Sequence, residues 1–332
     1  MSQKGDFVEY LKKGQNEPKI QGTELGESDF YNHLANRINY TFSLKENPIT
    51  EIDLLKMAVS GKGHEGEKIT QAHSSSLQAF MIFRKVKEGN PIRIDNIKYD
   101  QVLFEVQHKA IGYDSYIDVA LKNDNGDVLF IESKLFEVVR DSKKEGSFVV
   151  GPSYFSKHEN GYQEKLKFSF DDLKEIGIDF PLESKMYGEN ASAIKKEIIQ
   201  KSENKDGYSK INALPEGKWV YSYGIKQILS HVIGILNCEE YEKTPKKVRF
   251  AYLYNKLPGY EKNDAQNKLN DYIKHIKKVY EKLKERNPEL ENLLSNPILT
   301  YQGLYNDERN KIYFNSVGEM VCQYYQLDKK DP

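Results

Sequence analysis

The sequence predicts an α/β fold, a mixed sheet with helices packed against it. Three observations lead there. Residues 101–131 run in strand-length apolar or alternating pieces around Asn123-Asp124-Asn125-Gly126-Asp127, a hairpin signal. Trp219 to Asn237 (WVYSYGIKQILSHVIGILN) is apolar at helical spacing and reads as a buried helix. Val248 to Tyr254 (VRFAYLY) then reads as a strand with helices on either side, the step that closes a parallel pair.

The elements follow in order. Residues 1–27 are polar and rich in Gly, Lys and Glu. A helix is expected from Ser28, capped by Asp29, with Phe30, Leu34 and Ile38 at helical spacing. After Pro48, Thr50 opens a second helix with Ile52, Leu55 and Val59 on one stripe. Gly61 to Gly66 links it to a helix over 67–86, whose stripe includes Ile69, His73, Leu77, Phe80 and Met81. A connector from Pro91 carries a short strand. Gln101 to His108 is a strand with Val102, Phe104 and Val106 on one face and Leu103, Glu105 and Gln107 on the other. Residues 141–161 form a polar loop, Tyr162 to Leu173 a helix, and 181–218 an insertion. Asp264 to Arg286 is a long helix with Leu269, Ile273, Ile276, Val279, Tyr280 and Leu283 inward. Beyond Pro288 and Pro297, KIYFNSV (311–317) reads as a strand, followed by a helix with Met320, Val321, Tyr324 and Tyr325. Three regions result: a helical extension over 1–60, a core over 61–255 with an insertion at about 141–218, and a helical, lysine-rich region over 256–332.

Composition bounds the function. The chain has 332 residues, 38% hydrophobic, enough for a sizeable core, and 30% charged with a net charge of −1. Nowhere do 18 apolar residues run together, so no membrane helix is expected. The first residues lack a signal-peptide pattern, which makes a cytoplasmic location the expectation. Cys238 and Cys322 stand far apart without ligand-forming neighbours and read as reduced, buried thiols.

The hairpin concentrates the chemistry. A three-residue loop, Asp124-Asn125-Gly126, places Gly126 at positive φ and makes paired residue numbers sum to 250, which sets Asp118 opposite Glu132. A two-residue turn would slip the register and separate the carboxylates onto opposite faces. Strand alternation puts Glu132 and Lys134 on one face and turns Ser133 away. Mg²⁺ takes hard oxygen ligands, commonly one or two carboxylates plus water and substrate phosphate. A lysine beside it orients a water or stabilises charge on the attacked phosphate. Glu105, beside apolar neighbours, is either a second ligand or a structural ion pair.

Asp118, thirteen residues, then Glu132-Ser133-Lys134 resembles the D…(E)xK signature of the PD-(D/E)XK, or restriction-endonuclease-like, superfamily. Flanking features are similar: Phe104-Glu105, Glu132 to Glu137 as ESKLFE, a serine-bearing helix at His73 to Phe80, and the Gln-bearing helix from Tyr221 to Leu236. The likeness spans roughly residues 60–255, and Ile117 stands where the family's proline would be. It implies an αβββαβ core, a mixed sheet flanked by helices, with N- and C-terminal helices added. It implies Mg²⁺ (or Mn²⁺) held by Asp118, Glu132, the backbone carbonyl of Ser133 and optionally Glu105. Lys134 would act on the water, and Gln227 would orient the site. Glu65 or Glu67 could supply a further acid from the upstream helix, although each reads more simply as a solvated charge at a helix start. His64 and His73 have no matching ligand set.

Between Lys243 and Arg286 there are 13 Lys or Arg against 5 Asp or Glu. Lys268, Lys274, Lys277 and Lys278 fall on the outer face of the long helix, suited to tracking phosphates. The expectation is therefore a metal-dependent DNA endonuclease of the kind used in restriction or phage defence, with RNA as a variant substrate and a homodimer left open. The competing class is a nucleic-acid-binding or scaffold protein with a silent site. A glycosidase using Asp118 and Glu132 would leave Lys134 without a role.

Overall fold

The computed structural model describes residues 75–111, 114–135, 162–169, 225–256 and 264–328, with scattered residues between 35 and 54 and at 172, 175 and 176. The fold is mixed α/β. Five strands form one sheet in the order β3-β4-β5-β6-β7: Gln101–Lys109, Asp114–Lys122, Val128–Lys134, Val248–Tyr254 and Ile298–Thr300. The first three are antiparallel; β6 and β7 continue in parallel with β5. A small hairpin, β1 (Ile92–Ile94) and β2 (Ile97–Tyr99), precedes them. The main described helices are α1 (Ser75–Phe83), α2 (Tyr162–Leu166), α3 (Ile225–Leu236), α4 (Glu239–Lys243) and α5 (Asp264–Arg286). Three short ones follow: α6 (Tyr301–Asn306), α7 (Lys311–Val317) and α8 (Glu319–Tyr324).

The hairpin takes the register expected of it. Val119 pairs with Ile131, Ala120 with Phe130, Leu121 with Leu129 and Lys122 with Val128. Asn123 N donates to Asp127 O at 3.2 Å, and Gly126 lies at φ +82. The loop is therefore the three-residue Asp124-Asn125-Gly126, closed further by Asp127 N donating to Asn123 Oδ1 at 3.0 Å. A residue with a Cβ at Gly126 would strain that left-handed position.

Each sheet face has its own core. On one side α1, α6, α7 and α8 cover Val119, Leu121, Leu129, Ile131 and Leu253. On the other, α3 and α5 cover Ala120, Val128, Phe130, Phe250 and Tyr252. β5 lies between them, and all seven of its residues are buried. That explains its continuous apolar run before Glu132.

The C-terminal third departs from expectation in two ways. β7, which the sequence reading does not contain, extends the sheet beyond β6. KIYFNSV is helix α7 rather than a strand. Its buried residues are Tyr313, Phe314 and Val317, an i, i+1, i+4 set that makes one helical face, while Ile312 is 81% exposed. β-Branched and aromatic content suggested a strand; the spacing of burial decided for a helix. Residues 1–34, 55–74, most of the 141–218 insertion, Glu137 and Arg140 lie outside the described residues.

Helix α3 rides close on β3 and β4 because Gly234 has no side chain. A Cβ there would stand 3.0 Å from His108 Cβ and 3.2 Å from Ser115 Cβ. Gly234→Ala is expected to destabilise by about 1–3 kcal/mol through overpacking, less the roughly 1 kcal/mol that alanine gains in a helix. Chemical denaturation measures it, and a variant as stable as the parent would show that α3 can back away.

Candidate active site

Three acids line up across three neighbouring strands. Phe104 pairs with Val119 and Val106 with Ile117, so Glu105 falls opposite Asp118. Continuing the β4–β5 register one step past Val119–Ile131 sets Asp118 opposite Glu132. The row is also where the sheet twists out of regular alternation. Val102, Phe104, Val119 and Leu121 look to the α1 side. Past the row, Val106 and Ile117 look to the α3 side. The expected common face for Val102, Phe104 and Val106 is thus corrected: Phe104 packs with the α1-side core and Val106 with the α3-side core, and Glu105 between them sits at φ +49. Such a conformation costs roughly 1–3 kcal/mol in a non-glycine residue and is found where a site over-determines it. Glu105 itself is buried.

Glu132 follows Phe130 on the α3 side of β5, and Lys134 shares that face. Lys134 Nζ donates to Glu132 Oε1 at 2.6 Å, and both side chains are buried. Gln227, on α3, donates Nε2 to the same oxygen at 3.1 Å. His231, one turn further, places Nε2 3.1 Å from Glu132 Oε2. Ser115 Oγ in turn lies 2.5 Å from His231 Nδ1. Ser133 points the other way, as expected: its hydroxyl donates to Ser75 O at 3.2 Å and meets Tyr301 Oη at 2.8 Å. Its backbone N–H donates to Asp118 Oδ2 at 2.6 Å, tying β4 to β5 at the row.

The carboxylates have opposite electrostatics. Burial pushes the Asp118 carboxyl well above its ordinary range, and repulsion from Glu132 and Glu105 adds to it; Lys134 and the Ser133 N–H only partly oppose this. Burial would raise Glu132 too, but Lys134 and then His231 outweigh it and hold Glu132 low. Burial and its neighbours thus favour the neutral form of Asp118 and the charged form of Glu132. Tyr252, paired with Glu132 in the parallel ladder, is fully buried, and burial keeps its phenol protonated, with Tyr272 and Glu132 reinforcing it.

Among the described residues, no group of three or more His, Cys, Asp or Glu side chains stands ready to hold a metal. A cage built of side chains alone is thus not what these residues form. Asp118 and Glu132 supply hard carboxylate oxygens, and a divalent ion held by the two would be completed by water and substrate. Asp118 and Glu132 are mutually repelling and desolvated, and a cation between them would relieve that.

The lysine face is less open than its sequence suggests. Lys274 and Lys277 are exposed on α5. Lys278 is half-buried and donates to Ile176 O at 2.7 Å, so it is a structural contact. Glu175, Glu281 and Glu285 share the groove beside them, and Lys282 pairs with Glu175 and Glu285. The side chain of Lys268, and Glu65, Glu67, His64 and His73, lie outside the described residues. Of the site set, the structure brings together Asp118, Glu132, Lys134, Glu105 and Gln227. It adds Ser115 and His231, which the sequence reading did not select. His231 shares a stripe with Gln227 at i, i+4, a usable signal; Ser115 offered none.

Comparison with protein-family models, with curated proteins and with solved structures finds no match to this chain. No helix among the described residues is long and apolar enough to cross a membrane.

Proposed function

We propose that this protein is a Mg²⁺-dependent nuclease of the restriction-endonuclease-like class, acting on DNA. One observation carries the reading: Glu105, Asp118 and Glu132 fall in one row across three strands, with Lys134 bonded to Glu132 on the same face. With the β1–β2 hairpin and the short helices α2 and α4 set aside as additions, the succession α1, β3, β4, β5, α3, β6 is compatible with the αβββαβ order of that class. Asp118 and Glu132 would hold the ion, with the Ser133 carbonyl and Glu105 as further oxygen donors. When bound, the ion would acidify a water and neutralise charge on the attacked phosphate.

The chain's own residues do the rest. Lys134 is an ammonium in a dry setting, where its hydrogen bonds to a phosphate oxygen or to the attacking water are strong. To reach substrate it must share or leave Glu132 Oε1, and Gln227 is placed to keep that oxygen satisfied. Lys274 and Lys277 give an exposed basic edge for backbone phosphates, and DNA binding through them would weaken as salt rises.

A second reading has one observation in its favour. Lys134, Gln227 and His231 already surround both oxygens of Glu132, as they would in a silent scaffold whose ion pair is structural. A cleavage assay separates the two. Purified protein is expected to cut plasmid or phage DNA with Mg²⁺ or Mn²⁺, and EDTA to stop it. The same panel carries single-stranded DNA and RNA. No divalent-dependent cleavage of any of these would leave the scaffold reading standing.

A further inference from the structure

We infer that His231, anchored by Ser115, is a positioning residue that fixes the Glu132 carboxylate for metal binding. This rests on the nuclease reading above and extends it to residues that the D…(E)xK pattern does not contain.

Among the described residues Glu132 takes three nitrogen neighbours, and they are not equivalent. Lys134 and Gln227 both meet Oε1, and among the described residues His231 alone meets Oε2, at 3.1 Å. Lys134 has work to do at the phosphate. Gln227 is exposed, whereas His231 is 4% exposed. When Lys134 turns toward substrate, Gln227 stays on Oε1 and His231 is the buried contact that stays on Oε2.

His231 is itself held on three sides. Ser115 Oγ stands 2.5 Å from Nδ1, and Ser115 is as buried as the histidine. The ring meets Phe250 edge-on, with centroids 5.6 Å apart. Gly234, one turn on, lets α3 come near enough to β4 for the Ser115 contact to form. Ser115 lies on the same strand as Asp118, three residues earlier. A side-chain chain thus runs from β4 through α3 to Glu132 on β5, and it links the strands that carry the two acids.

The contact with Glu132 is close without being a straight hydrogen bond, since Nε2 has no aligned partner among the described residues. In so dry a place, proximity is enough to bias the carboxylate, and a bound cation would need only a small reorientation of it. Histidines and carboxylates behind a metal's direct ligands commonly change affinity or activity by about 10–100-fold when replaced.

The test uses the two amides that each mimic one ring nitrogen. Glutamine places its N–H near the Nε2 position and loses Ser115; asparagine reaches Ser115 and loses Glu132. Mn²⁺ binding to the full chain is measured by calorimetry, beside kcat and KM for DNA cleavage and the melting temperature. His231→Asn is expected to bind Mn²⁺ about 10–100-fold more weakly and to lose kcat with little change in KM. His231→Gln is expected to stay within a few-fold of the parent, and both to melt at similar temperatures. Equal Mn²⁺ affinity in parent and both variants, or the same loss in both, would overturn the inference while leaving the nuclease reading intact. A parent protein that binds no Mn²⁺ would sink both.

Discussion

Asp118→Asn is expected to abolish divalent-dependent cleavage and, in the absence of metal, to make the protein more stable. The two effects have one cause. Asp118 is a desolvated carboxyl facing Glu132 and Glu105, so its charged form is disfavoured in the folded chain. The amide keeps the shape and can never ionise. For activity, a loss of at least about 10³-fold is expected, roughly 4 kcal/mol of transition-state stabilisation. For stability, the sign follows from linkage. The folded state holds the Asp118 proton to higher pH than the unfolded chain, whose aspartate titrates near 3.9. The parent therefore loses stability as pH rises from about 4 through the raised Asp118 value, and Asp118→Asn does not. The two proteins should match at low pH and diverge above it. Mg²⁺ should then reverse the order by stabilising the parent alone. Denaturation at several pH values, with and without Mg²⁺, checks every part. A variant less stable than the parent at neutral pH without metal would show that Asp118 is a structural acid.

Glu132→Ala is expected to do the opposite and destabilise the fold by about 3–5 kcal/mol, the usual cost of stranding a buried charge. Lys134 and Glu132 are both nearly inaccessible, so solvent cannot rescue the ammonium left behind. Glu132 is held low, so its contribution is present above the unfolded glutamate value of about 4.3 and disappears as pH falls through its own lower value. The double variant Glu132→Ala, Lys134→Met should recover much of the loss, because it removes both charges and refills the space. Recovery would show that the single variant suffers from an unpaired charge; no recovery would point to lost packing instead. Neighbouring carboxylates one strand apart thus have opposite effects on stability when neutralised.

What could be read from the sequence was local. The Asn-Asp-Asn-Gly-Asp run announced a turn but admitted two lengths; the three-residue one, preferred because it sets Asp118 beside Glu132, is the one formed, with Gly126 at positive φ. The buried helix α3 and the strand β6 were visible because their apolar spacing is strong. What stayed hidden depended on distant partners. Ser115 and His231 are 116 residues apart, and nothing in either neighbourhood announces the contact. The change of face at Glu105 accompanies a backbone dihedral that a strand pattern conceals, since Phe104 and Val106 are apolar whichever face they choose. β7 is three residues long and borrows its pairing from β6, so it carries too little pattern of its own. Lys278 looked like part of a phosphate-binding face until a backbone carbonyl from residue 176 met it.

The central claim is that a divalent cation sits between Asp118 and Glu132. Anomalous diffraction from crystals soaked in Mn²⁺ addresses it without any assumption about substrate. A single strong peak is expected within ligating distance of both carboxylates, absent from crystals of Asp118→Asn. Fully soaked crystals with no peak there, or with manganese bound only elsewhere on the molecule, would contradict it.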